Sequence, residues 1–267
     1  MIYFIIALAV IALLILLYLL WFIRPRAKKT TNEKLLCNYA HRGLHGKSIP
    51  ENSIAAFELA CQRGYGIELD VQLSKDGKVM VFHDYTLNRM TGQNGKVCET
   101  DEKDLTKLKL KNTDQTIPTF EQVLSTVNGR VPLLVELKGE NLNTALCEKV
   151  AVILKEYKGD YCIESFNPLL LRAMRKQLPN AFYGQLYTNV CKDKKKYSPL
   201  NILLSLMFFN FLAKPDFIAY KYKYRNSLPV RLATKCYKAT RFSWTIKSEE
   251  EMKNAQENNE CAIFEVE

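Results

Sequence analysis

Five short segments gather the residue types that acid–base and phosphate chemistry need. They are His41-Arg42-Gly43, Pro50-Glu51-Asn52-Ser53, Glu68-Leu69-Asp70, His83-Asp84 and, after a gap, Glu136-Leu137-Lys138. Residues i and i+2 of a strand share a face, so Glu68 and Asp70 stand side by side. Two carboxylates ~4 Å apart repel by roughly 4 kcal/mol at an effective dielectric of about 20, so one takes a proton or a cation sits between them. Glu136 belongs to a similar strand-end segment and completes a cluster of three oxygen donors. Such a set suits a hard divalent cation, Mg²⁺ or Ca²⁺, rather than Zn²⁺.

His41 and His83 are candidates for proton transfer near neutral pH, one removing a proton from a nucleophile and the other protonating a leaving oxygen. His45, in the loop after the first strand, reads as surface or substrate-lining. Arg42 and Lys138 bring positive charge: a guanidinium fork matches phosphate oxygens and an ammonium acts as a point charge. Cation, Arg and Lys together describe a clamp for a phosphoryl group. There is no glycine-rich nucleotide loop and no serine nucleophile elbow, so the nucleophile is water or a substrate hydroxyl.

The elements that must hold these residues follow from the hydrophobic pattern. Apolar runs at 35–40, 66–73, 79–83, 131–137, 161–166, 182–187, 217–222, 242–246 and 262–266 read as strands. Helical patterns at 53–63, 119–127, 144–157, 168–177 and 248–258 lie between them, with Ser53, Thr119 and Ser248 as N-caps. The alternation predicts a parallel sheet with helical crossovers. Polar residues at the ends of several strands favour a closed (β/α)8 TIM-type barrel over an open doubly wound sheet. Nine candidates are one too many for eight staves. The turn signal Lys75-Asp76-Gly77 leaves no room for a crossover, so 71–83 is expected to be a hairpin that returns His83 over the site. Residues 85–117 are polar and read as an inserted lobe over the barrel mouth.

Residues 2–23 carry no charge and span roughly 33 Å as a helix, enough for a bilayer core of ~30 Å. Arg24, Arg26, Lys28 and Lys29 follow, which predicts a single-pass anchor with the rest of the chain in the cytoplasm. Eight scattered cysteines agree, as free thiols of a reducing compartment. The expected organisation is an anchor at 1–23, a basic juxtamembrane linker at 24–36 and a catalytic barrel at 37–267. The net charge of +10 fits a membrane surface or phosphate-bearing substrates. Nucleic acid is not expected: Lys221-Tyr222-Lys223-Tyr224-Arg225 alternates as a strand and no nucleic-acid fold signature accompanies it. Residues 200–213 are apolar nearly all round yet too short to span a bilayer, and read either as a buried crossover helix or as an interfacial segment beside the anchor.

At the candidate site residues the sequence resembles the glycerophosphodiester phosphodiesterase family. The resemblance runs from about Tyr39 to the C-terminus. It rests on A-H-R-G (40–43), P-E-N-S with A-F (50–53, 56–57), E-L-D-V (68–71), D-G (76–77), H-D with L-N-R and T-G (83–92), E-L-K (136–138), E-S-F-N (164–167) and W-T-I (244–246). It implies a barrel with a subdomain after H-D, a divalent metal on Glu68, Asp70 and Glu136, and His41 and His83 as the acid–base pair. Arg42 and Lys138 would contact phosphate, Glu51 would lie in or next to the metal's ligand shell, and Phe166 and Trp244 would line the glycerol side. The implied reaction is hydrolysis of glycerophosphodiesters to sn-glycerol 3-phosphate and an alcohol, with the substrate's own 2-hydroxyl as one possible attacking group. Members usually close on an aspartate-bearing strand and a short tail, whereas this chain reads Ile-Phe-Glu-Val-Glu at 263–267. Two other readings are lysophospholipase D action on membrane lysophospholipids and a membrane-tethered binding module without catalysis.

Overall fold

Inward and outward side chains alternate along every long strand of this chain, and the alternation builds the barrel. The computed structural model describes residues 1–139 and 143–265. Eight parallel strands close on themselves: β1 Tyr39–Ala40, β2 Gly66–Leu73, β4 Leu133–Leu137, β5 Tyr161–Ser165, β6 Phe182–Tyr187, β7 Phe217–Lys221, β8 Thr240–Ile246 and β9 Cys261–Phe264. β1 pairs with both β2 and β9, which seals the ring. The ninth strand, β3 Val79–Val81, runs antiparallel along the upper half of β2, from Val71 to Leu73. The sequence expectation of a TIM-type barrel plus a hairpin therefore holds.

β1 is shorter than the run 35–40 suggested: Glu33–Leu35 forms a 3-10 turn and only two residues join the sheet. The chain leaves the ladder after Ala40 because Arg42 and Gly43 both take positive φ, at 55° and 79°. A Cβ on Gly43 would also lie 2.8 Å from that of Ala56, on the helix Ile54–Gln62, so only glycine admits this close approach. The short β1 leaves one edge of β2 open above it, and β3 fills that edge. The 217–222 run ends similarly early. β7 stops at Lys221 and Tyr222–Tyr224 form a 3-10 turn, so the expected basic strand does not form. Val266, the last residue of the expected 262–266 strand, lies outside the described residues.

Inside the barrel Tyr39, Leu134, Cys162, Phe182, Phe217, Phe242 and Ile263 pack into one apolar floor. The outward residues Ile67, Leu69, Val71, Leu133, Val135 and Ile163 pack against the surrounding helices. Ser53, Thr119 and Ser248 cap their helices as expected, Thr119 within a reciprocal capping box with Gln122. β3 and the segment after it share a small core, with Met80, Phe82, Leu87, Met90, Val97 and Leu105 buried together.

The N-terminal helix, Ile2–Leu17 extended by a π-helical stretch Tyr18–Phe22, is long and apolar enough to cross a membrane, with mean hydropathy 3.1 over its window. The basic stretch after it lies against the barrel. Ile23 is buried, and Arg26 makes a two-pronged ion pair with buried Asp216 at 2.5 Å on each prong. Residues 200–213 form two short helices, Pro199–Ser205 and Asn210–Ala213, broken at Met207 with φ 52°. They are only partly buried, and Leu200 and Ile202 remain 57% and 41% exposed.

The floor leaves no spare volume at β6. A Cβ on Gly184 would fall 1.9 Å from the Phe217 ring. Gly184→Ala is expected to destabilise the barrel by about 1–3 kcal/mol or more, measured by chemical denaturation; a variant as stable as the parent would contradict this packing.

Candidate active site

One step of two residues beyond the apolar floor, the same strands present their chemistry. Tyr39 is followed by His41, Leu134 by Glu136, Cys162 by Glu164, Phe242 by Trp244 and Ile263 by Glu265. These side chains stand at the C-terminal end of the barrel, where a TIM-type fold builds its sites. His41, Arg42, Glu68, His83, Glu136 and Lys138 all line one cavity of about 220 Å³, with Glu164, Phe166, Trp244 and Glu265 also in its wall.

Glu68, Asp70 and Glu136 each offer an oxygen to a group whose members lie within 4.8 Å of one another. Strand register explains the meeting, since Asp70 on β2 sits directly opposite Glu136 on β4. Burial holds Glu68 well above the usual carboxylate range, and Asp70 and Glu136 raise it further. Burial raises Glu136 too, against the pull of Lys138. Asp70 goes the other way: burial would raise it, but Lys138, His83 and Arg42 together hold it below its ordinary value. The Lys138 ammonium bridges the cluster, 3.0 Å from Asp70 and 2.8 Å from Glu136. Asn52 donates to Asp70 at 2.8 Å, and the backbone N–H of Arg42 donates to Glu68 at the same distance. Three buried carboxylates held this close by neighbouring cations form a donor set that fits a hard divalent cation.

Both histidines are oriented by a carboxylate. The Nδ1 of His41 is 2.7 Å from Glu265 Oε1, and the Nδ1 of His83 is 2.6 Å from Asp84 Oδ1. When Nδ1–H donates to a carboxylate, Nε2 of the neutral ring is left as a proton acceptor. His41 Nε2 lies 3.9 Å from Glu68. Burial lowers the basicity of both rings, an effect that Glu265 partly offsets at His41 and that Asp70, then Asp84, partly offset at His83. His83 is placed by Gln72, whose side-chain amide donates to the carbonyls of Phe82 and Asp84 at 2.7 and 2.9 Å. Phe166 and Trp244 meet edge to face at the mouth, with ring centroids 5.7 Å apart.

Glu51 binds arginines rather than joining the carboxylate cluster. Its carboxylate accepts from Arg42 at 2.7 Å and from Arg89 at 2.6 and 2.8 Å. Burial opposes ionisation there, but Arg89 and Arg42 overcome it and hold Glu51 in the low carboxylate range. Arg89 continues the chain of charges to Asp84 and so to His83. His45 lies outside the lining of the cavity.

Sequence reasoning gave no role to Glu164 and Glu265. Glu164 is buried, one oxygen lacks a hydrogen-bond partner, and burial with Glu68 and Glu136 nearby pushes it well above the carboxylate range. Its register opposite Glu136 follows from the strand alternation and was the available signal. Glu265 lies just past β9 and supplies a carboxylate at the closing stave despite the departure noted there. Its pairing with His41, and then with Lys247, holds it below its ordinary range.

A model of the glycerophosphoryl diester phosphodiesterase family matches residues 41–264. A glycerophosphodiester phosphodiesterase of Caldanaerobacter subterraneus subsp. tengcongensis is 38% identical over 159 residues, which cover 55% of this chain and 65% of that protein. One from Bacillus altitudinis is 42% identical over 176 residues, covering 60% of this chain and 69% of the relative. The fold matches that of an Oleispira antarctica phosphodiesterase solved with its product sn-glycerol-3-phosphate, at TM-score 0.71 and 24% identity over 86% of this chain and 92% of that one.

Replacing Glu265 tests the orientation of His41. In Glu265→Ala, the ring loses its acceptor at Nδ1 and a neighbour that raises its pKa, so His41 is expected to titrate at lower pH and to populate both tautomers. Imidazole nitrogen shifts by NMR report both changes; unaltered shifts would show that Glu265 does not hold the ring.

Proposed function

Since the chain belongs to the glycerophosphoryl diester phosphodiesterase family, we propose that it hydrolyses glycerophosphodiesters to sn-glycerol 3-phosphate and an alcohol, from a membrane-anchored barrel facing the cytoplasm. The observation that carries this reading is the convergence of two carboxylate-oriented histidines with Glu68 and Glu136 on one cavity, Asp70 lying within the same carboxylate cluster.

Glu68, Asp70 and Glu136 would hold a divalent cation, Mg²⁺ or Ca²⁺. Such a cation, when bound, supplies Lewis acidity to the phosphoryl oxygens. Arg42 and Lys138 place fixed positive charge where the phosphoryl group gains negative charge in the transition state. One histidine Nε2 takes the proton of the attacking hydroxyl, from water or from the substrate's own 2-hydroxyl. The other, protonated, gives its proton to the departing alkoxide, so that neither leaves as a high-energy anion. Glu265 and Asp84 stabilise the imidazolium as it forms and keep each ring aimed. Phe166 and Trp244 offer aromatic faces to the glycerol carbons. Glu51 fixes Arg42 from behind. The small inserted lobe at 85–117 contributes Arg89, which ties Glu51 to Asp84 across the cavity edge.

The domain organisation proposed is an anchor at 1–23, a basic segment at 24–36 and the catalytic barrel from 37 onward. The four basic residues after the apolar helix resist transfer across the bilayer, each costing a few kcal/mol, which keeps the barrel on the cytoplasmic side.

Catalysis is tested by substitution and chelation. Glu68→Ala and Asp70→Ala are expected to abolish glycerophosphodiester hydrolysis and the rise in melting temperature given by Mg²⁺ or Ca²⁺. His41→Ala and His83→Ala should each lower kcat by ~10²-fold or more, with a double variant far from multiplicative. Full activity in excess EDTA would sink the metal assignment.

Topology has its own test. Alkaline phosphatase fused at the C-terminus should be inactive in cells and a fluorescent protein there should fluoresce. Cleavage of the barrel by protease added outside intact cells would reverse the assignment.

A further inference from the structure

The segment that follows the apolar helix runs down the barrel wall in a definite direction. Ile23 shares a buried cluster with Tyr187, the last residue of β6, and with Tyr220 near the end of β7. Three residues on, Arg26 pairs with Asp216, just ahead of the first residue of β7, and the Ala27 N–H donates to the Pro215 carbonyl. The chain therefore passes along the outside of β7 from its C-terminal end to its N-terminal end. The apolar helix before Ile23 stands on the C-terminal side, the side on which the catalytic cavity opens.

The last turns of that helix are bonded to the barrel. The Tyr18 hydroxyl donates to the Leu206 carbonyl, Tyr237 donates to the Leu19 carbonyl, and Phe22 stacks on Phe208. Tyr18 precedes Phe22 by four residues, about 6 Å along the axis at ~1.5 Å per residue. Its side chain leans further toward the helix N-terminus, as side chains on a helix do. A bilayer that encloses the helix as far as Phe22 therefore reaches Leu206 and Tyr237 as well.

The surface beside these contacts has the composition of a membrane interface. Tyr197 is 71% exposed and Leu228 64%, and Leu200, Ile202 and Leu206 are exposed with them. All five belong to the segments that follow β6 and β7 at the C-terminal end of the barrel. Exposed apolar groups gathered on one face mark an interaction surface. Lys192, Lys194, Lys195 and Lys196 lie immediately before Tyr197 and are exposed. Asp193, the one acid in that run, is taken by Lys221 and Lys223. Apolar side chains rimmed by unneutralised lysines suit an anionic lipid surface, where the chains enter the headgroup boundary and the ammonium groups meet phosphate.

We propose that the C-terminal end of the barrel lies on an anionic bilayer leaflet, so that the catalytic cavity faces the membrane; the proposal rests on the reading of Ile2–Phe22 as a membrane span. Tyr197, Leu200, Ile202, Leu206 and Leu228 enter the leaflet and the four lysines rest on its headgroups. The Arg26–Asp216 pair sets this tilt, because it fixes the barrel wall to the chain just below the helix.

The test uses the full chain in nanodiscs of phosphatidylglycerol and phosphatidylcholine whose acyl chains carry bromine, a quencher of indole fluorescence. Native Trp21 reports the span: bromine should quench the emission that distinguishes the parent from Trp21→Phe. Further reporters are then added one at a time in the Trp21→Phe background. Leu200→Trp and Leu228→Trp sit on the proposed surface, and Leu36→Trp sits at an exposed position just before β1, at the opposite end of the barrel. Bromine should remove at least half of the emission added at positions 200 and 228 and leave that at 36 unchanged. Replacing phosphatidylglycerol with phosphatidylcholine should weaken quenching at 200 and spare Trp21. Quenching at 200 and 228 no greater than at 36, with Trp21 quenched, would overturn the orientation alone. Quenching indifferent to lipid charge would overturn the anionic partner. An unquenched Trp21 would overturn the membrane-span reading beneath both.

Discussion

Glu68, Asp70, Glu136 and Glu164 converge at one end of a barrel whose floor is sealed by aromatic and aliphatic side chains, and their mutual repulsion governs the arrangement of nearly everything near them. Buried acids so close together cannot all stay ionised without positive charge among them. Lys138 and Arg42 supply part of it directly, 3.0 and 3.5 Å from Asp70. The other polar contacts follow outward: Glu51 steadies Arg42, Arg89 steadies Glu51, and Asp84 links Arg89 to His83. A single network of alternating charge thus reaches from the carboxylate cluster to one of the two histidines. Breaking one partner of a buried pair leaves an uncompensated charge, so each link is held by its neighbours as well as by the backbone.

The other organising contact lies away from the cavity. Asp216, at the start of β7 and fully buried, accepts from Arg26, lies 3.6 Å from Arg175 and takes a backbone N–H from Tyr183. Ile23 is enclosed by Tyr187, Met207, Ile218 and Val230. The stretch expected to be a spacer is therefore docked on the barrel. An apolar helix joined through such a clamp has a fixed direction relative to the sheet, instead of the freedom that a polar tether would give.

Most of the barrel was legible because its strands are continuous apolar runs and its helices carry caps and periodic faces. The hairpin at 71–83 could be read from a turn signal too short for a crossover. The site residues at 41, 42, 68, 70, 83, 136 and 138 were legible because type and spacing restrict what they do. What escaped the sequence depends on register and on distant closure. Glu164 gains its place only once β5 is set opposite β4, and Glu265 matters only because β9 lies beside β1. Glu51, expected in or next to the metal's ligand shell, sits beside the carboxylate cluster through Arg42 and Arg89. The early ends of β1 and β7 are set by left-handed backbone at Arg42 and by a tight turn at Tyr222, which hydropathy does not register.

The contact between His41 and Glu265 joins residues 224 positions apart. A ribosome adding about 5–20 residues per second needs roughly 10–45 s to pass from one to the other. Throughout that interval the first histidine exists without its carboxylate, and β1 has no β9 beside it. The ring of strands and the His41–Glu265 contact are thus completed by the same late event. A nascent chain whose apolar helix has already emerged therefore holds His41 without its carboxylate partner until β9 is made.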